Sequence, residues 1–204
     1  MRYGLTIATA PSQEPVTVDQ VKEQTRVDIG DEEGLLRRYI RTATRYAEQC
    51  YDRTTVTTVW RMTLDGFPCG NEPIKPPRPP LQSVTSITYT NSTGGTTTLA
   101  SSDYSVDAFS EPGRITPVFG GTWPATRDVP NAVTVLYQAG YGGSTANVNE
   151  SVAAVPETIK HGISLLSAHW FRNREPVLTE GSQASPLPYA VEEMLGAEWP
   201  GGYS

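Results

Sequence analysis

The chain has 204 residues, 37 % hydrophobic and 19 % charged, with 18 glycines, 17 prolines and a formal net charge of −6; its pI is near 5.0. That length suits one domain, or a small domain carrying a second module. The acidic balance argues against a protein whose main task is to grip nucleic acid, because such affinity comes from neutralising phosphates, and leaves room for passing contact with DNA.

Residues 1–15 hold Pro11 and Pro15 and are expected to form an extended arm whose order depends on a neighbour. The opening MRYGLTIATA lacks the apolar centre of a signal peptide, no apolar run approaches the roughly 18 residues that span a bilayer, and a cytosolic chain is expected. Thr17 to Gln20 match a capping box, in which the Thr hydroxyl and a Gln three places on exchange bonds with free backbone N–H groups. A short helix is predicted from Val18 to about Thr25, with Val18 and Val21 as its apolar edge. Arg26 to Asp31 is a connection broken by Gly30.

In Asp31 to Cys50, Leu36, Tyr39, Ile40, Ala43, Tyr46, Ala47 and Cys50 recur at spacings of three and four, which makes one face of a long helix apolar. Arg37, Arg38, Arg41, Arg45 and Glu48 fall on the other side. Asp31 is placed as N-cap, with Glu32 and Glu33 where the helix dipole favours acids. A matching face appears only at Pro156 to Arg172, with Ile159, Ile163, Leu166 and Trp170 in register and Pro156 as the first helical residue. Each large side chain buried between the two helices contributes roughly 1.5–3 kcal/mol.

Between these segments the period changes to two. Val56, Thr58, Trp60, Met62 and Leu64 share one face of a strand that Asp65-Gly66 ends. Lys75 to Pro80, KPPRPP, is expected to be extended or polyproline-like, a stiff edge device that blocks unwanted strand pairing. It contains PxxP and an arginine, the ingredients of an SH3 ligand, but such ligands usually lie in disordered tails. Val84–Tyr89 and Thr96–Leu99 form a hairpin around the loop 91–95. Tyr104–Asp107 and Arg114–Thr116 flank the turn Glu111-Pro112-Gly113, and Ala132–Tyr137 is the strongest strand signal. Gly140-Tyr141-Gly142 shares a fragment with potassium-channel filters but reads as a strand-ending turn. Residues 142–155 read as a flexible link, and Pro188–Leu195 as one more short helix.

The predicted fold is therefore α+β. Residues 1–53 and 156–196 form a small helical bundle, 54–142 an inserted antiparallel β module, 143–155 a linker and 197–204 a tail. No internal repeat is visible.

Chemistry-bearing motifs are scarce. His161 and His169 lack the HExxH spacing of a zinc site, and no GxSxG elbow, P-loop or Rossmann fingerprint occurs. Asp103, Asp107, Glu111 and Asp128 sit in turn-rich sequence, where Asp shapes turns more often than it performs acid-base work. Cys50 is read as core and Cys69 as incidental, so no disulfide is expected. No catalytic residue, cofactor or metal ligand is assigned. Arg37, Arg41 and Arg45 form a basic stripe: in a monomer an ordinary solvated face, in a ring a subunit-interface or channel candidate. Trp199 and Tyr203, aromatics in a Gly/Pro tail, are docking candidates, since aromatic anchors carry much interface energy.

The ordered series PVTVDQVKEQTRVD, DEEGLLRRYIRTATRYAEQ, LDGFP, PRPPLQSVTSITY, VTVLYQAGYG and VPETIKHGISLLSAHWFRNRE resembles the head-tail connector (adaptor, or head completion) proteins of tailed bacteriophages. The likeness is to the version with a β insert, also met in prophages and gene-transfer particles, and runs from about Pro15 to Leu195. It implies a structural virion protein located in the neck and assembled in the host cytoplasm. Copies of the chain would form a ring, usually of twelve subunits, beneath the portal protein, and offer a platform to the next neck or tail completion protein. DNA would pass through the channel without specific binding, and no membrane is involved. The tail, with Trp199 and Tyr203, would reach toward the portal. Two readings of other classes stand beside it: a carbohydrate-binding or adhesive β module using Trp60, Tyr89, Tyr104 and Trp123, and, with least support, a cell-wall hydrolase.

Overall fold

The computed structural model describes residues 2–25, 32–142 and 148–173. Helices α1 (Val18–Thr25), α2 (Glu33–Cys50), α3 (Val148–Ala154) and α4 (Glu157–Arg172) come from the two ends of the chain. The capping box starts α1 as expected: Gln20 N–H donates to the Thr17 hydroxyl (3.3 Å) and Thr17 N–H to the Gln20 carboxamide (2.9 Å). Both α1 valines are buried, so the narrow apolar edge suffices to seat this short helix on α2 and α4.

Leu36, Ile40, Ala43 and Ala47 of α2 pack with Ile159, Ile163 and Leu166 of α4 in one apolar cluster. Tyr39 meets Phe171 edge-on at 6.4 Å, and Tyr46 meets Trp170 at 6.1 Å. The 3.6-residue period carries the stripe from Ala47 to Tyr51, which is half-buried, and leaves Cys50 exposed, so Cys50 is not core. Pro156 caps α4 from an extended backbone (ψ 138°) instead of opening its first turn. Asp31, the expected N-cap of α2, lies outside the described residues; Glu32 holds that position, and its side chain does not cap the helix.

The strands are β1 (Tyr3–Thr9), β2 (Thr58–Leu64), β3 (Leu81–Thr90), β4 (Thr96–Leu99), β5 (Tyr104–Asp107), β6 (Arg114–Pro117) and β7 (Val133–Ala139). Five make an antiparallel sheet in the order β1-β2-β7-β3-β4, and β5 pairs with β6 in a separate ribbon. Alternation sets the register: Trp60 lies opposite Tyr137, Met62 opposite Val135 and Leu64 opposite Val133, all buried on one face. The ribbon covers this face through Ile115, with Ile74 bridged to it, and together they form a second apolar cluster.

Three further expectations change. The arm at residues 1–15 is extended, but its neighbour is β2 and it forms an edge of the sheet. The stretch read as a flexible link contains α3, whose Ser151 is fully buried. Its hydroxyl accepts the Thr57 N–H and donates to the Thr57 hydroxyl, each at 2.7 Å, a close approach that a small side chain permits. KPPRPP is not an edge device. Prolines offer carbonyls but no N–H, and this segment serves as an acceptor row: Tyr137 O–H donates to Pro77, Thr54 N–H to Pro79 and Gly140 N–H to Pro80. Gly140 itself is required by crowding, because at φ 130° a Cβ would stand 2.8 Å from the Thr57 backbone. The segment expected as a helix at Pro188–Leu195 lies outside the described residues.

Candidate functional site

The outer face of α2 carries the basic stripe. Arg37, Arg41 and Arg45 keep 68, 73 and 42 % of their side chains exposed, and each has a partner within the chain: Glu33 at 3.7 Å, Glu14 at 3.3 Å and Glu48 at 3.1 Å. Exposed pairs of this kind contribute little, up to about 1 kcal/mol, so they orient the guanidinium groups more than they stabilise the fold. Lys22, with smaller help from Arg37, holds the Glu33 carboxyl below the usual carboxylate range. Between this face and residues 11–19 runs an open groove of about 570 Å³ lined by Glu14, Asp19, Glu33, Arg37 and Arg41, its floor reaching Ile40. Acids and bases alternate along it, a surface suited to a charged protein partner more than to an apolar small molecule.

A second polar cluster, not anticipated from sequence, joins the helices to the sheet. Glu48, one turn after the buried Thr44, is itself buried. Its carboxylate accepts the Thr55 N–H (3.0 Å) and hydroxyl (2.8 Å) as well as Arg45. Arg53, nearly buried, sends one guanidinium nitrogen to both Glu111 oxygens, at 2.7 and 2.9 Å, and lies 5.3 Å from the Tyr141 ring centre. Arg78, the arginine of PxxP, faces the Trp60 ring at 5.9 Å, pairs with Asp52 at 3.3 Å and donates to the Glu48 carbonyl. These contacts occupy it, which leaves no free proline-arginine face of the kind an SH3 domain reads. The sequence signal for this seam was the run Arg53-Thr54-Thr55: buried hydroxyls beside a charge need partners.

The aromatics considered for sugar binding are taken up by the core. Trp60 is buried with its N–H on the Thr54 hydroxyl, Tyr89 and Tyr104 pack against the sheet cluster, and Trp123 stacks on Phe67 at 4.9 Å with its N–H on the Glu72 carbonyl. Of the acids in turn-rich sequence, Glu111 pairs with Arg53 and Asp107 shapes its turn. Asp107 accepts from Phe109 N–H, Ser110 N–H and hydroxyl, and Arg114; the bond from the Ser110 hydroxyl and then the one from Arg114 hold its carboxyl far below the usual range. His161 is exposed and His169 faces the Asn173 amide. Among the described residues no group of three His, Cys, Asp or Glu could hold a metal, and no helix is long and apolar enough to cross a membrane. Trp199 and Tyr203 lie outside the described residues.

No protein-family model and no curated protein matches this sequence. Solved structures do. The chain is similar to one in "Virion of native gene transfer agent (GTA) particle", 20 % identical with a TM-score of 0.73, covering 96 % of this chain and 94 % of that one. It is similar to one in "Neck of empty GTA particle computed with C6 symmetry", 19 % identical with a TM-score of 0.70 over 95 % and 94 %. A third, in "Neck of native GTA particle computed with C12 symmetry", is 18 % identical with a TM-score of 0.67 over 95 % and 93 %. The fold is thus shared with these chains nearly end to end.

Proposed function

We propose that this chain is a structural protein of a virion neck: a head-tail adaptor whose copies close into a ring beneath the portal and join a DNA-filled capsid to the neck or tail. The observation that carries the reading is the near end-to-end likeness of fold to chains of gene-transfer-agent virions and necks. The C6 and C12 symmetries with which two of those necks were computed support a ring, with twelve copies as the proposed number. The reading assigns the chain no reaction and no cofactor; its function is its interfaces. Residues 1–53 and 156–196 would supply the helical body and, through β1, one edge of the sheet, 54–142 the rest of the sheet, and Arg37, Arg41 and Arg45 the charges facing a neighbour or the channel. Trp199 and Tyr203 would dock on the portal. A net charge of −6 suits a conduit, since strong attraction for phosphate would retain DNA.

Purified chain is expected to be monomeric and to form its ring on meeting the portal, because tails that order on binding meet that entropic cost only in the complex. Mixing chain and portal and imaging end-on tests this: portals bearing an added ring support it, and bare portals contradict it. Particles assembled without the chain should be filled heads that lack tails.

A further inference from the structure

Neither β1 nor β4 has a strand on its outer side among the described residues. Natural sheets guard such edges with lysine, proline, inward-pointing charge, short strands or bulges; YGLTIAT and TTTL carry no lysine, proline or charge, β4 is short at four residues, and β1 is regular from Tyr3 to Ile7 with a register shift only between Ile7 and Thr9. Every neighbouring pair in the sheet is antiparallel, so the first and fifth strands run in the same direction.

A rotation about a ring axis repeats each copy without inverting it, and it needs two different patches that fit each other. Two edges running the same way are such patches: β4 of one copy can lie parallel to β1 of the next. Two β1 strands facing across a twofold axis would instead pair antiparallel and close a dimer.

The side chains agree. Tyr3, Leu5 and Ile7 share the buried face of the sheet with Leu64, Met62 and Trp60, but the ribbon does not cover them fully, and Tyr3 and Ile7 stay 52 and 39 % exposed. Beside the other edge stands Phe119, 108 % exposed. It rides a tight turn closed by Gly121 N–H on the Val118 carbonyl (2.8 Å), with Gly120 at φ 75°. That turn is tied to the end of β4, since Val118 N–H donates to Asp103 and Asp103 N–H to Ala100. The ribbon lies on the same face as the uncovered stripe, and parallel pairing would bring Phe119 toward Ile7.

We infer that the ring is built by sheet continuation: β4 of one copy pairs with β1 of the next, and Phe119 seats on the Tyr3–Ile7 stripe. This rests on the neck-ring reading above. The test uses full-length chain in assembled particles, with Cys50→Ser and Cys69→Ser as background. Thr98→Cys is combined with Thr6→Cys or Thr9→Cys, residues whose partners across the sheet lie on its outer face. Oxidation should give a ladder of covalent oligomers on a non-reducing gel, absent for each single-cysteine chain. Phe119→Asp should leave melting unchanged and lower ring yield about tenfold or more, as loss of an anchor does. Complete rings by imaging that give no ladder with either pair overturn the inference and leave the adaptor reading standing. Rings formed at full yield by Phe119→Asp remove the anchor from the inference. Tailed particles whose necks lack this chain overturn both.

Discussion

The helical core and the sheet core reach stability by different routes. Around α2 and α4 the cluster is assembled from segments more than a hundred residues apart, and the hydroxyls caught inside it bond within their own helix: Thr44 to the Ile40 carbonyl, Ser164 to Lys160 and Ser167 to Ile163. The sheet cluster comes mainly from residues 58–139 and takes only β1 from the far end of the chain, and its buried polar tips bond to other elements: Trp60 N–H to the Thr54 hydroxyl and Tyr137 O–H to the Pro77 carbonyl. Among the described residues the buried charges, Glu48 and Arg53, lie in the seam between the two cores, with half-buried Arg78 alongside. Apolar burial therefore holds each half, while hydrogen-bonded charge sets how the halves are oriented.

The strongest challenge to that division is Ile40→Asp. An unpaired charge in the helical cluster should cost roughly 3–5 kcal/mol and lower melting by about 10 °C or more. If the cores are separate, helical circular dichroism should be lost before the Trp60 and Trp123 signals of the sheet; simultaneous loss would show one cooperative unit. Next in size is Glu48→Ala, which strands the Thr55 N–H and should cost about 1–3 kcal/mol. Proton exchange ought to rise at Thr55 and Arg53 while the centres of α4 and β7 stay protected. Thr17→Ala removes one half of the capping box and should cost about 1 kcal/mol, with the change in exchange confined to α1.

The smallest effect is pH-dependent. The Asp107 carboxyl is depressed in the fold, so what it contributes is present above the ordinary value near 3.9 and is lost only as pH falls through its lowered value. The Phe109 and Ser110 amides should remain protected at about pH 4, where an ordinary aspartate is half-protonated. Asp107→Asn should loosen that turn at every pH, as amide exchange would register.

Much of this was legible. Helix α1 was marked by its cap, α2 and α4 by a 3.6-residue stripe, and β2 by strict alternation, because local propensity and burial agree there. Strand β1 was harder, although Tyr3, Leu5 and Ile7 do alternate: a single apolar face means little until β2 is known to lie beside it, and Pro11 and Pro15 mask the pattern. The acceptor row at Pro77–Pro80 could not be read because its donors, Thr54, Tyr137 and Gly140, come from elsewhere in the chain. Glu48 was misplaced for a related reason. It follows Ala47 on the rim of the stripe, and only the Thr55 donors make burying a carboxylate tolerable.

The chain leaves the helices at Val56 and returns at Tyr141, and these two residues are bridged side by side in parallel. Adjacent exit and return points are what a graftable cassette requires, so the strand-rich part could be exchanged between homologous scaffolds without stretching either junction. The transplant has one condition. Because Tyr3–Thr9 completes the recipient sheet from outside the cassette, a chimera that swaps residues 58–139 alone would mate a foreign β2 with the resident first strand, and a sound graft must carry both pieces together.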